Sequence, residues 1–134
     1  MGLVASIGTV FGRKGLGYKQ DLADENDRSF GSLPLAVSVP PPSVDHTNHV
    51  VSVLAQGATN SCVGHSCAQA IRVGLSLDGI SKPELPSPYG IYYWARAETK
   101  SQSVDAGTFL RDAAKAVQKF GFRPISVWPS SPFR

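Results

Sequence analysis

The most constraining feature of this chain is a helix-like run that begins directly after a cysteine. Gln56 and Cys62 are the two ends of the segment QGATNSC. After Ser61, a predicted N-cap, apolar residues recur at three-to-four spacing until the pair Asp78-Gly79, which predicts an amphipathic helix. The apolar positions of this run are Val63, Cys67, Ala70, Ile71 and Leu75.

A cysteine at the start of a helix is well placed to act as a nucleophile. A thiol attacks a carbonyl as its thiolate, and the positive end of a helix dipole favours that anion. The amide of Gln56, one loop upstream, can donate to the oxyanion that forms, together with the backbone N–H of Cys62. We therefore predict that Cys62 is a nucleophile and that Gln56 belongs to its oxyanion hole.

Further sequence blocks surround this segment, and together they resemble a known family. They are Gly17-Tyr18 with Asp21-Leu22 and Asn26-Asp27-Arg28, Pro42-Ser43-Val44-Asp45, Ser87-Pro88-Tyr89 through Tyr92-Tyr93-Trp94-Ala95-Arg96, and Asp105-Ala106-Gly107-Thr108 with Arg111-Asp112, Ala116, Phe120-Gly121 and Trp128-Pro129. In order and spacing these blocks resemble the papain-like cysteine peptidases of bacterial and phage type. The resemblance implies an α+β fold, of which this chain would supply the amino-terminal helical (left) half behind an extended N-terminal arm. It also implies a peptide or protein substrate.

The resemblance assigns one more residue to the substrate site. Gly107 matches a glycine in the turn before the third helix, where family members pair backbone groups with an extended peptide. A glycine permits such a close backbone approach. The alternative is that Gly107 only shapes the entry to the helix, and the sequence leaves both open.

The catalytic partners of Cys62 are not found in this sequence. In this family a histidine base and its orienting asparagine lie about 130 to 150 residues after the nucleophile, beyond residue 134. His65 is close to Cys62 in sequence but on the same helix, and a base must face the sulfur across a cleft. We expect the chain to be catalytically incomplete and to need a C-terminal half or another protein chain. The alternative is a non-catalytic structural or interaction protein, such as a phage virion component.

Composition along the chain predicts two regions. Residues 1–43, rich in Gly, Ser, Pro and charge, are predicted to form an extended arm, and residues 44–134 the helical half. Residues 49–54 predict a strand or extended segment. Ser87 and Pro88 predict the start of a second helix. A third helix is predicted to be apolar at Leu110, Ala113, Val117 and Phe120 and to end at Gly121.

Several functions and sites are disfavoured. The net charge of +3 comes from scattered basic residues, so nucleic-acid binding is not expected. No apolar run is long enough to cross a bilayer, and the N-terminus lacks a secretory signal, so we expect a cytoplasmic or virion-borne protein. His46 and His49 have no further partner at ligand spacing except Asp45, so no metal is expected. No cofactor is expected either.

The remaining predictions concern burial. Cys67 lies five positions after Cys62 on one helix, too far for a disulfide, and is predicted to be a buried small hydrophobe. Four aromatic residues are predicted to be core residues rather than walls of a pocket: Tyr92, Tyr93, Trp94 and Trp128. A half-enzyme should also leave an apolar face open for its partner, with Trp128 as the candidate at its rim.

Overall fold

The computed structural model describes residues 17–29 and 41–128, which form three α-helices and a two-stranded parallel sheet. The helices are α1 (Cys62–Leu77), α2 (Pro88–Ala97) and α3 (Leu110–Phe120), and the strands are β1 (Tyr18–Lys19) and β2 (Thr108–Phe109). A short 3-10 helix spans Thr47–His49. The described part is therefore mostly helical, with its only described sheet joining the predicted arm to the turn before α3.

Helix α1 begins at Cys62, as the sequence predicts, but without the predicted side-chain cap. Ser61 is the N-cap residue and makes no side-chain capping bond. Its hydroxyl instead contacts Thr59 Oγ1 at 2.6 Å and His65 Nδ1 at 3.1 Å. The helix ends before Gly79, whose φ of +86° belongs to the left-handed region that favours glycine.

Helix α2 starts with the cap that the sequence predicts. The hydroxyl of Ser87 accepts a hydrogen bond from Gly90 N at 3.0 Å, and Pro88 occupies the first turn. The same hydroxyl donates to Trp128 O at 2.5 Å. Ser87 therefore ties the start of α2 to residue 128 as well as capping the helix.

Helix α3 obtains its N-terminal cap from a distant segment. Its N-cap residue, Phe109, has no side chain that can accept a hydrogen bond. The backbone N–H of Arg111 instead donates to Asp21 Oδ1 at 3.3 Å. At the other end, Gly121 closes the helix with a φ of +69°, as predicted.

Small residues at the helix contacts form the core. The buried cluster consists of Val63, Ala68, Ile91, Ala95, Ala113 and Ala116. Gly64 lies at the crossing of α1 and α2, where a Cβ would come within 2.3 Å of Pro88 O. The helices can approach this closely because no large side chain separates them.

Several side chains of the predicted apolar faces are not buried. Ala70 on α1 is exposed, and on α3 Leu110 and Phe120 are 48% and 46% exposed while Ala116 is buried. The helices pack by their smallest side chains, which turns the larger apolar ones toward the periphery. The prediction of which residues face the core was therefore partly wrong for both helices.

The aromatic residues divide between core and surface. Tyr92 is fully buried and Trp128 is 6% exposed, whereas Trp94 is 36% exposed. The Trp128 ring lies 5.1 Å from the Tyr93 ring. Placing Trp128 at the rim of an open apolar face was wrong, because its backbone bond to Ser87 and its ring contact hold it inside.

The described part of the predicted arm packs against the helices. Tyr18 and Lys19 pair in parallel with Thr108 and Phe109, and Gly17 is buried. Residues 49–54 form no strand but lead, without regular structure after His49, toward α1. The arm residues 1–16 and 30–40 and the last six residues of the chain lie outside the described part, and the boundary at residue 43 stays a prediction. None of the described helices is long and apolar enough to cross a membrane.

Candidate active site

Cys62 and Gln56 line the same open cavity, of about 720 Å³, along one side of α1. The cavity is lined by Val50, Val53, Leu54, Gln56, Cys62, His65, Ser66, Gln69, Ala70, Val73, Gly74 and Leu77. Most of these side chains are apolar, and the polar ones come mainly from α1 itself. The structure thus brings together the two residues that the sequence predicts as nucleophile and oxyanion donor.

Hydrogen bonds within the loop 56–61 fix the side chain of Gln56. Its Nε2 donates to Thr59 O at 2.8 Å, and Thr59 Oγ1 donates back to Gln56 O at 2.8 Å. The hydroxyl of Tyr89 also reaches Gln56 O at 3.5 Å. The Gln56 amide is thus part of the hydrogen bonding that shapes the loop before Cys62.

The residue two positions before Cys62 is held by a carboxylate from another part of the chain. The backbone N–H of Asn60 lies 3.0 and 3.1 Å from the two carboxylate oxygens of Asp105. The Asn60 side chain donates to Asp105 O at 2.8 Å. Tyr92 donates its hydroxyl to Asp105 Oδ1 at 2.6 Å. Burial and this hydrogen bond together raise the pKa of Tyr92.

His65 is buried beside the cavity and is engaged with its own helix. Its Nδ1 lies 2.9 Å from Ser61 O, and its ring meets that of Tyr89 edge to face at 5.2 Å. Burial lowers the pKa of His65, and the bond to Ser61 only partly opposes that effect. His65 is therefore held by contacts with its own helix and with Tyr89. That it is not the base stays a prediction.

The other two histidines are far from Cys62. His49 Nδ1 lies 2.9 Å from Ser76 Oγ, and the His46 ring lies 6.1 Å from that of His49. Ser76 is fourteen residues after Cys62 on α1, about 20 Å along the helix axis. Of the three histidines, only His65 lines the cavity. Within the described residues, no imidazole faces Cys62 from another element.

Gly107 lies away from that cavity, in a setting that explains why it is glycine. Its φ is +75°, and a Cβ would lie 2.2 Å from Gly17 O. Its N–H donates to the Tyr92 hydroxyl at 2.9 Å. These contacts agree with a glycine that shapes the entry to α3. Its substrate-binding role stays a prediction.

The second cysteine behaves as a packing residue. Both Cys62 and Cys67 are free thiols. Cys67 is partly buried against the core cluster, and this burial raises the pKa of its thiol. Among the described residues, no group of three or more His, Cys, Asp or Glu side chains could hold a metal ion.

Sequence reasoning missed the residues that hold the site in place. Asp105 and Tyr92 were noted only as parts of larger sequence blocks, and Asn60 only as part of the loop. Gln69 was also missed: both polar atoms of its amide are buried without a hydrogen-bond partner, beside the cavity. The grouping of Asp105 with Gly107 and Thr108 in one block was the signal that could have pointed to Asp105.

The fold is part of that of a papain-like cysteine protease, and a comparison with one solved structure shows this. The chain matches the crystal structure of xylellain, a cysteine protease from Xylella fastidiosa, with 32% identity and a TM-score of 0.76. The match covers 92% of this chain and 47% of that chain. This chain is therefore homologous to a papain-like cysteine protease and has a partial papain-like fold.

The comparison confirms the predicted family and the predicted mostly helical α+β fold. The chain spans about half the length of xylellain. No protein-family model matches the chain, and the comparison with curated proteins gave no match.

Proposed function

We propose that this chain supplies the nucleophile side of a papain-like cysteine peptidase. The observation that carries the proposal is that Cys62, at the first residue of α1, shares one cavity with Gln56. The homology to a cysteine protease supports the same assignment. Cys62 is the nucleophile, and Gln56 and the backbone N–H of Cys62 form the oxyanion hole.

The proposed reaction is acyl transfer from a peptide to the Cys62 thiolate. The sulfur attacks the scissile carbonyl carbon, and the carbonyl oxygen becomes an oxyanion that accepts hydrogen bonds from the Cys62 N–H and the Gln56 amide. Collapse of this intermediate breaks the C–N bond when an acid protonates the leaving amine. Water then hydrolyses the thioester and regenerates the thiol. The acid and base come from outside these 134 residues.

The proposal includes a second half-domain or protein chain that supplies this acid and this base. Most of the side chains that line the cavity are apolar, and Val53, in the segment that leads to α1, is 92% exposed. An exposed, mostly apolar surface of this kind favours a complementing half-domain that covers it. No observation specifically favours a non-catalytic role or a virion component.

Complementation tests the proposal. The chain is mixed with the part of xylellain that it does not match, and complex formation is measured by size-exclusion chromatography. We expect the complex to hydrolyse a fluorogenic peptide, and we expect Cys62→Ser, but not Cys67→Ser, to abolish this activity. A stable complex that turns over no peptide, or whose activity survives Cys62→Ser, would contradict the proposal.

A further inference from the structure

The geometry points to Asp105 as the positioning residue for the loop 56–61, which carries Gln56 and leads into Cys62. Asp105 does not line the cavity of Cys62, and it acts through Asn60. The importance of Asp105 for catalysis rests on the proposed peptidase function. The effect of Asp105 on the geometry around Cys62 does not depend on that function.

Asp105 holds the backbone immediately before the first turn of α1. Both carboxylate oxygens accept from the Asn60 N–H, and the Asp105 carbonyl accepts from the Asn60 side chain. A hydrogen bond to a charged acceptor is stronger than one between neutral groups. Asn60 is therefore held at both its backbone and its side chain by one residue that is distant in sequence. Only Ser61 separates this clamp from Cys62.

Tyr92 connects the clamp to the core. Its side chain is fully buried on α2, and its hydroxyl bridges Asp105 Oδ1 and Gly107 N at 2.6 and 2.9 Å. The guanidinium of Arg96 lies 3.9 Å from the centre of the Tyr92 ring and donates to Tyr92 O and Val104 O. The position of Asp105 is thus fixed relative to α2, so it can locate Asn60 relative to the core.

The predicted arm confines Asn60 from another direction. A Cβ on Gly17 would lie 1.7 Å from Asn60 O, so Gly17 is in direct backbone contact with Asn60. Thr108 N donates to Gly17 O at 2.9 Å, which holds Gly17 in place. Asn60 is enclosed between Asp105 and Gly17. A substitution at Asp105 and a substitution at Gly17 should therefore both disturb the loop 56–61.

Movement of Asn60 would reach both functional residues. Thr59 exchanges hydrogen bonds with Gln56, and α1 starts two residues after Asn60. Loss of the Asp105 clamp should thus loosen the first turn of α1 and displace the Gln56 amide. A frayed first turn no longer aligns its N–H groups toward Cys62, so the thiolate loses part of its stabilisation.

The test is Asp105→Asn, which keeps the shape but places an NH2 donor where an oxygen accepted. We expect the Asn60 amide to exchange with solvent at least tenfold faster. We expect the rate at which iodoacetamide alkylates Cys62, relative to the rate for Cys67 in the same molecule, to fall by about two- to fivefold. This range corresponds to the free energy by which a helix N-terminus stabilises a nearby anion. In the complemented enzyme, kcat should fall while KM changes little.

Matched variants separate positioning from general destabilisation. Asp112→Asn makes the same charge change in the first turn of α3, outside the clamp, and should leave the ratio of the two alkylation rates unchanged. Gly17→Ala, which cannot fit against Asn60 O, should lower the ratio as Asp105→Asn does. Hydrogen exchange of the α2 and α3 amides reports whether each variant is folded.

A folded Asp105→Asn protein with an unchanged ratio of alkylation rates would overturn the inference. Should Asp105→Asn fail to fold, Tyr92→Phe decides, because it keeps the ring and the carboxylate and removes only the bridging hydroxyl. An unchanged ratio in Tyr92→Phe would also overturn the inference. Since these thiol readouts need no peptidase activity, the inference can hold even when the complementation experiment fails.

Discussion

Gly107 and Gly79 both have positive φ angles, but only Gly107 is enclosed. A Cβ at Gly107 would lie 2.2 Å from Gly17 O, whereas a Cβ at Gly79 would meet nothing within 4 Å. We expect Gly79→Ala to lower the free energy of unfolding by about 1 kcal/mol, through backbone strain alone. Gly107→Ala should lower it by about 3 kcal/mol or more, because the arm must also move.

Urea denaturation of both glycine variants measures this difference. Gly79→Ala is the control for the φ strain, and Gly107→Ala adds the steric contact with Gly17. Equal destabilisation of the two variants would show that Gly17 does not pack against Gly107 in solution.

At the same scale, buried His65 predicts a pH dependence of stability. Burial lowers the pKa of His65 below its usual value of 6.5. Below pH 6.5 the unfolded chain therefore binds a proton that the folded chain does not, and stability is lost as the pH falls toward the folded pKa of His65.

Two carboxylates act in a lower pH range. The pKa values of Asp24 and Asp45 are lowered mainly by backbone hydrogen bonds from Asn26 and Thr47, so their contributions to stability are lost only below about pH 4.

An NMR titration of the His65 ring, with urea denaturation at pH 7 and about 5.5, tests this prediction. We expect a His65 titration midpoint below 6.5 and lower stability at the lower pH. A midpoint at or above 6.5 would contradict the burial of the ring.

At the scale of elements, α3 depends on the arm for its N-terminal cap. Asp21 accepts from the Arg111 backbone N–H in place of the missing side-chain cap at Phe109. We expect Asp21→Ala to lower the free energy of unfolding by about 1 kcal/mol, the usual effect of losing a helix cap. Glu25→Ala, an exposed acidic residue of the same segment, is the matched control and should be nearly neutral.

Thermal and urea denaturation compare these two variants. If Asp21→Ala and Glu25→Ala lowered stability equally, the effect would reflect the negative charge of the arm rather than a cap.

The arm is also held by ion pairs of Arg111 with Asp24 at 2.8 Å and Asp27 at 2.9 Å. These pairs are exposed, and salt should screen them.

At the scale of the whole molecule, the arrangement of the histidines predicts that the chain alone is inactive. His65 is engaged with Ser61, and His49 contacts Ser76 near the far end of α1. No described imidazole therefore faces Cys62 from another element to protonate a leaving amine. We expect the 134-residue chain by itself to turn over no fluorogenic peptide. Turnover that Cys62→Ala abolishes and His65→Gln reduces would show that His65 serves as the base after all.

The sequence by itself determined the helices, their ends at Gly79 and Gly121, the cap of α2 and the position of Cys62 at the start of α1. These features depend on neighbours within a few residues, because helix periodicity, capping and left-handed glycines are local. The family resemblance was likewise readable, since it rests on the order and spacing of sequence blocks.

Only the tertiary structure decided how these parts meet. The core uses the smallest residues of α1 and α3, so the predicted apolar faces were partly misplaced. Asp105 clamps Asn60, Asp21 caps α3 and Gly17 packs against Gly107 across 45 to 90 residues of chain. Such contacts depend on the shape of both partners after folding, which no local pattern encodes. The burial that makes His65 structural and Cys67 a packing residue arises in the same way.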